Sequence, residues 1–416
     1  MNKKVWITGI GVQSPNGSDK KKFQESVLNG ISGIRKITSF DSSGLSCRIA
    51  GEVNIRENSF STLEKKNLPR TAQLAVQASS EALTDAGLSP DNLSDLERQK
   101  FGVILGTGGG SIEFMERHYQ MYYGSSDFKP SLYVISASTP GGLSSELSIR
   151  FRLLGRSHVI TTGCTSSTDA LGYAFREIQS GRLTRVLTGG ADAPITRGVF
   201  EGFSLMKILP TDWNNAPERG SRPFALDRSG FVPAEGSWMF ILEDAETAKK
   251  RGAIPYAEIC GYGSSCEAFH AVRLSENADA NCRAIEEAVM DASLDHSQIE
   301  YVNLHGTSTQ LNDRIESLIM KTYFGQHASN IPMSSTKSMI GHPQGASGAA
   351  GLAATLLSMR SDSLHPTINL ESPDPECGLD LIPKEARRKK VSYALCNTLG
   401  FGSKCSALII KNGNIL

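Results

Sequence analysis

Glu287-Ala288-Val289-Met290-Asp291-Ala292-Ser293-Leu294-Asp295, followed after a short polar loop by Tyr301-Val302-Asn303-Leu304-His305-Gly306-Thr307, repeats a unit that occurs earlier in the chain. There Glu81-Ala82-Leu83-Thr84-Asp85-Ala86-Gly87-Leu88-Ser89 leads likewise into Gly102-Val103-Ile104-Leu105-Gly106-Thr107. Each unit reads as an amphipathic helix, a polar loop and a buried strand ending in Gly-Thr. A second echo lies outside the first. Val186-Leu187-Thr188-Gly189-Gly190-Ala191 and Met239-Phe240-Ile241-Leu242 read as paired strands closing one half, and 391–396 and 407–410 do the same for the other. Strands alternating with helices in both halves predict an α/β protein with helices covering mostly buried sheets. The boundary falls near residue 252, after a charged helix at 243–251, giving halves 1–252 and 253–416.

A chain of 416 residues exceeds one ordinary core, which agrees with a duplicated architecture. Lys plus Arg (43) equals Asp plus Glu (43), so no global field draws the protein to nucleic acid or to a membrane surface, and any charged docking face is local. Eight cysteines (47, 164, 260, 266, 282, 377, 396, 405) form no CxxC pair and no metal-ligand spacing, the pattern of reduced thiols in a cytoplasm; no metal is expected. Val5-Trp6-Ile7-Thr8-Gly9-Ile10-Gly11-Val12 is too short and glycine-broken for a secretion signal and reads as a buried first strand. No run reaches the roughly 18 apolar residues of a membrane span. The expectation is a soluble cytoplasmic protein.

Between the repeats stands Val159-Ile160-Thr161-Thr162-Gly163-Cys164-Thr165-Ser166-Ser167. Leu171, Ala174, Phe175 and Ile178 then recur at helical spacing, predicting strand, sharp turn and helix with the Cys164 thiol at the helix start. Amides and the dipole there favour a thiolate, the nucleophilic form. Taken alone, such a cysteine reads more readily as a buried structural thiol. The second half supplies partners for it. His305 sits where a buried strand gives way to a loop, the place where ligands gather in α/β sheets. Ser334-Ser335-Thr336-Lys337-Ser338-Met339-Ile340-Gly341-His342-Pro343-Gln344-Gly345-Ala346-Ser347-Gly348 adds a lysine and a second histidine in a turn entering a small-residue helix. That helix is rich enough in Gly and Ala to predict close packing of another helix or backbone. Neither this turn nor Gly106-Thr107-Gly108-Gly109-Gly110 has the GxxxxGK[ST] or GxGxxG order of a phosphate cradle, so nucleotide binding is not expected. A thiolate that accepts an acyl group, two imidazoles that donate to a carbonyl or carboxylate, and a lysine that orients them form a coherent chemical set.

With that order of residues, HGTST at 305–309, KSMIGH at 337–342 and GFG at 400–402, the chain resembles the β-ketoacyl synthases, condensing enzymes of the thiolase fold. The likeness runs from VWITGIGVQSPNG (5–17) to NTLGFGSKCSALII (397–410), essentially the whole length. It implies two similar halves in a five-layer α-β-α-β-α stack. By the resemblance Cys164 accepts an acyl chain from the phosphopantetheine of an acyl carrier protein, with no cofactor of the chain's own. His305 and His342 assist decarboxylation of a malonyl group and stabilise the enolate, and Lys337 holds the second histidine loop, paired with Glu316. Asp313 gives further structural support. The amides of Cys164 and Phe401 form an oxyanion hole, Phe401 acting as a gate hinged on Gly400 and Gly402. Thr307 and Thr309 bind the pantetheine arm. An acidic carrier needs a local basic patch, for which Lys65, Lys66, Arg70 and Lys207 are candidates.

TGCTSSTDALGYA (162–174), SSCEAFH (264–270) and DPECGLD (374–380) resemble the ketosynthase-alpha subunit of type II aromatic polyketide synthases, which pairs as a heterodimer with a cysteine-less chain-length factor. Asn397-Thr398-Leu399 is more similar to the fatty-acid β-ketoacyl-carrier-protein synthase II group, which implies a homodimer. Ser167, where glycine is usual, and Pro343-Gln344 depart from the family pattern. A non-catalytic partner subunit is disfavoured by the intact Cys–His–Lys–His set. A degradative thiolase calls for a second catalytic cysteine, and although Cys396 and Cys405 flank the GFG turn, the paired histidine motifs fit decarboxylative condensation better.

Overall fold

The computed structural model describes residues 3–55, 59–125 and 127–416. Ten strands form its main sheet: β1 (Val5–Gln13), β2 (Phe101–Gly106), β3 (Ser157–Ile160), β4 (Arg185–Asp192), β5 (Gly236–Asp244), β6 (Ala257–Cys266), β7 (Tyr301–Asn303), β8 (Met333–Ser334), β9 (Tyr393–Gly400) and β10 (Lys404–Asn412). Their spatial order is β8-β7-β9-β10-β6-β1-β5-β4-β2-β3. The first five strands run 1-5-4-2-3 from the centre outward, and the second five repeat that order. The directions repeat too: β1–β5 and β5–β4 are antiparallel and β4–β2–β3 parallel, as are β6–β10, β10–β9 and β9–β7–β8 in turn. The halves join edge to edge through a short antiparallel pairing of Val5–Ile7 with Ala257–Ile259.

The principal helices are α1 (Arg70–Asp85), α2 (Ile112–Gly124), α3 (Gly142–Phe151), α4 (Ser166–Gln179), α5 (Asp279–Asp291), α6 (Gln310–Phe324) and α7 (Ser347–Arg360). Helix α1 covers β1, β5 and β4, and α5 covers β6 and β10 on the outside. Between the halves lie α4 and α7, each touching strands of both. This is the five-layer α-β-α-β-α stack. Helix α7 is buried on every side except at Arg360, as its Gly/Ala content predicts. A Cβ on Gly348 would come within 1.9 Å of Thr168 Oγ1, so only glycine admits α4 at that crossing. Ser167 Oγ accepts the Ala349 amide at 2.9 Å, so the hydroxyl that departs from the family pattern ties the two central helices together. Among the described residues no helix is long and apolar enough to cross a membrane.

Candidate active site

Strand β3 ends at Ile160, Gly163 turns the chain with φ +69°, and a 3₁₀ turn (Gly163–Thr165) delivers Cys164 to the start of α4. A side chain at 163 would be strained in that conformation. From the other half, His305 follows β7, and His342 follows the short helix Lys337–Ile340. His342 is fixed by its backbone, its N–H donating to Val232 O (2.8 Å) and its carbonyl accepting Ala234 N–H (3.0 Å). One donor atom each of Cys164, His305 and His342 lies within 4.8 Å of the others, and all three residues are buried.

Hydrogen bonds set the imidazole tautomers. His342 Nδ1 accepts the Gln344 amide (3.1 Å) and lies 3.0 Å from Ser347 Oγ, leaving its proton on Nε2. Lys337 Nζ donates to His305 O (2.7 Å) and stands 3.3 Å from His305 Nδ1, so an ammonium there also places the His305 proton on Nε2. Burial, then the Lys337 charge, holds the pKa of both histidines well below the ordinary value; for His305 the neighbouring His342 adds to the effect. Two neutral N–H donors beside a sulfur suit stabilisation of developing negative charge. They do not suit a metal, whose ligation would require those protons to leave and a buried cation to be tolerated near Lys337.

Cys164 does not rest as the thiolate expected from its helix-start position. Burial pushes its thiol up to about 11, outweighing the opposing influence of the Phe401 amide, the Lys337 charge and its own amide, while the Asp192 charge adds to the rise. The Phe401 amide and the amide of Cys164 itself both lie close enough to the sulfur to oppose that rise. Phe401 and Gly402 sit in the turn between β9 and β10, Gly402 at φ +80°, and the half-buried Phe401 packs against the hydrophobic cluster that includes Phe200, Leu209 and Phe231. Gly400 lies against Cys164 and Thr165 across the turn.

Lys337 and Glu316 also sit differently from the expected pairing. The lysine holds His305, not the His342 loop, and no ion pair within 4.0 Å joins it to Glu316. Instead Glu316, on α6, accepts the amides of His305 (2.7 Å) and Gly306 (2.7 Å) and the Asn397 side chain (2.8 Å). Burial raises its carboxyl pKa and lowers that of the lysine. Asp313 accepts Phe224 N–H (2.8 Å) and Ser308 N–H (3.2 Å), bracing the loop that carries Thr307 and Thr309, whose hydroxyls are 2.9 Å apart.

The β-ketoacyl synthase N-terminal domain model matches residues 2–248 and the β-ketoacyl synthase C-terminal domain model residues 256–371. The chain belongs to the β-ketoacyl synthase family. It is thus a condensing enzyme of acyltransferase type with the thiolase fold. This synthase is 36% identical to the 3-oxoacyl-(acyl-carrier-protein) synthase 2 of Staphylococcus aureus, over 99% of this chain and 98% of that protein. Two solved structures align over 99% of this synthase and 100% of the other chain at 30% identity. One is a complex of a type II polyketide synthase acyl-carrier protein with its ketosynthase bound to the hexaketide (TM-score 0.91); the other is the ishigamide ketosynthase/chain length factor (TM-score 0.90).

The candidate docking cations separate in the structure. Lys65 and Lys66 are exposed at the end of the short helix Thr62–Asn67, and Lys207 is exposed with φ +55°, one residue before Ile208, whose carbonyl holds Phe231 beside His342. Arg70 leaves that set. Its guanidinium is engaged by the buried Glu235 at 2.5 and 2.6 Å and by Val53 O at 2.6 Å, and so acts as an internal brace. Sequence reasoning missed Asn397, Ser347, Gln344 and Asp192. Asn397 beside GFG, and Gln344 and Ser347 beside KSMIGH, carried a local signal; Asp192 carried none.

Proposed function

We propose that this synthase is the elongating ketosynthase of a type II polyketide system. Cys164 takes an acyl group from the phosphopantetheine thioester of an acyl carrier protein: the Cys164 sulfur–carbonyl bond forms, the carrier's sulfur–carbonyl bond breaks, and the Cys164 thiol proton ends on the departing phosphopantetheine thiol. Malonyl-carrier protein then loses CO2, the enolate being held by the Nε2–H groups of His305 and His342. The enolate carbon attacks the Cys164 thioester, a carbon–carbon bond forms, and the thiolate leaves. The Cys164 and Phe401 amides hold the carbonyl oxygen in both tetrahedral intermediates. Lys337 orients His305, while Glu316 and Asp313 brace its loop. Thr307 and Thr309 hydrogen-bond the pantetheine arm, and Lys65, Lys66 and Lys207 meet the acidic carrier. The observation that carries the chemistry is the convergence of one cysteine and two Nε2-protonated imidazoles within 4.8 Å.

The reading includes a partner subunit. Among the described residues the edge strand β3 has no neighbour beyond it, and beside it lies a groove of about 910 Å³ lined by Leu63, Tyr133, Leu143, Ile149 and Val159. Tyr123 (80% exposed), Leu132 (90%) and Ile135 (76%), close in sequence to the groove residue Tyr133, are further exposed apolar side chains, and clustered exposed apolar side chains mark interaction surfaces. Support for a chain-length-factor partner comes from the 162–174 motif and the likeness to polyketide ketosynthases. We also place the boundary of the halves near residue 252, in the gap between the two family matches. The identity to synthase 2 of Staphylococcus aureus and the Asn397-Thr398-Leu399 stretch favour a second reading, a homodimeric fatty-acid elongation enzyme. Incubating the purified chain with malonyl- and acyl-carrier proteins, alone and with a cysteine-less homologue, separates the two. Elongation only with the homologue supports the polyketide reading, and full elongation by the chain alone overturns it.

A further inference from the structure

The two glycine-rich stretches that lack the order of a phosphate cradle meet across the boundary between the halves. What they enclose is an internal carboxylate. Asp192, the last residue of β4, is 1% exposed. Its Oδ1 accepts Thr107 Oγ1–H (2.8 Å) and Gly109 N–H (3.0 Å); its Oδ2 accepts Gly108 N–H (2.7 Å) and, from the second half, Gly345 N–H (2.7 Å). Successive backbone amides turned inward make such an anion-binding concavity. The loops touch so closely that a Cβ on Gly345 would stand 2.1 Å from Gly108 N and 2.8 Å from Asp192 Oδ2.

We propose that Asp192 is a positioning residue for His342, acting through the Pro343–Ser347 loop. The link is one peptide long. Gln344 N–H fixes His342 Nδ1, and the next amide, Gly345 N–H, is held by Asp192. Gln344 has φ +45°, a conformation strained for a non-glycine residue and kept only where the surroundings enforce it. Asp192 supplies that enforcement: by accepting the Gly345 N–H it fixes the 344–345 peptide and with it the backbone of Gln344, whose own N–H, in the preceding peptide, is aimed at Nδ1 and leaves the His342 proton on Nε2. The Thr107 hydroxyl and the Gly108 and Gly109 amides on the opposite side anchor the carboxylate to the half that carries Cys164, so a single group sets the His342 loop relative to the nucleophile.

The inference rests on the proposed part of His342 in the malonyl half-reaction, which makes it separable by half-reaction. Asp192→Asn keeps the shape but opposes an NH2 group to amide donors, and Asp192→Ala removes the clamp. In the full-length protein with its carrier proteins, acylation of Cys164 is followed by intact-protein mass spectrometry and decarboxylative condensation by product formation. The expected result is acylation within twofold of wild type or faster, with condensation down at least tenfold in Asp192→Asn and further in Asp192→Ala. Asp192→Asn is expected to cost nothing more when added to His342→Ala. Equal slowing of both half-reactions would mark Asp192 as merely structural, and condensation at the wild-type rate would remove it; either overturns the inference. If His342→Ala itself condenses normally, the reading of the site fails and not the clamp alone.

Discussion

Replacing Lys337 with methionine keeps the length of the side chain and removes both its charge and its donor. In the structure that donor holds His305 O at 2.7 Å and stands 3.3 Å from His305 Nδ1. Without it the ring can place its proton on Nδ1, and Nε2 then faces the substrate as an acceptor. A hydrogen bond to a charged group contributes about 1.5–3 kcal/mol, and at 1.36 kcal/mol per decade its loss slows decarboxylation of malonyl-carrier protein roughly 10- to 150-fold. The same charge lowers the Cys164 thiol, so acylation slows as well. The assay is CO2 release from malonyl-carrier protein by enzyme already acylated on Cys164, with melting temperature followed to confirm folding. Lys337→Arg keeps the charge but not the compact point donor, and is expected to fall between the two. A folded Lys337→Met enzyme that releases CO2 at the wild-type rate would refute the assignment of the His305 tautomer to this lysine.

Four further outcomes follow. Gly106→Ala places a Cβ 2.3 Å from Ser167 N, about 1 Å inside normal contact, so the start of α4 must shift; acylation of Cys164 is expected to slow about 100-fold, with roughly 1–3 kcal/mol lost in denaturant unfolding. Arg70→Ala leaves the Glu235 carboxylate buried without its cation and is expected to lower unfolding free energy by about 3–5 kcal/mol. Lys65→Ala with Lys66→Ala changes stability by less than about 0.5 kcal/mol while raising the KM for carrier protein. Because burial raises the Cys164 thiol to about 11, the thiolate fraction in the empty enzyme grows tenfold per pH unit; alkylation of Cys164 by iodoacetamide is expected to rise with that slope from pH 7 to 9, and a plateau below pH 8 would contradict it.

The duplication into two similar halves was legible because each half carries its own helix-loop-strand echo, whereas the strand order was not; Cys164, His305, Lys337 and His342 stood out because each lies in a compact motif. The electrostatic state of Cys164 was not. The helix-start argument counts local amides, whereas desolvation by both halves decides the balance. Strand β7 was expected to run to Thr307 but ends at Asn303, since the amides of His305 and Gly306 turn to Glu316 and leave the ladder. Arg70 looked like part of a surface cluster with Lys65 and Lys66, and only the fold brings Glu235 to it from 165 residues away. Asp192 escaped for the same reason. Its four donors come from two loops that meet only in three dimensions, and the glycines that admit it resemble a cradle for an external anion.

Mass spectrometry of the intact protein tests the central claim most directly. After incubation with its cognate acyl-carrier protein, the enzyme is predicted to carry one acyl group on Cys164. Addition of malonyl-carrier protein should discharge that group into a chain-extended product with release of CO2, and Cys164→Ala should show neither event. An acyl group mapped to any other residue, or undiminished chain extension by Cys164→Ala, would contradict the account.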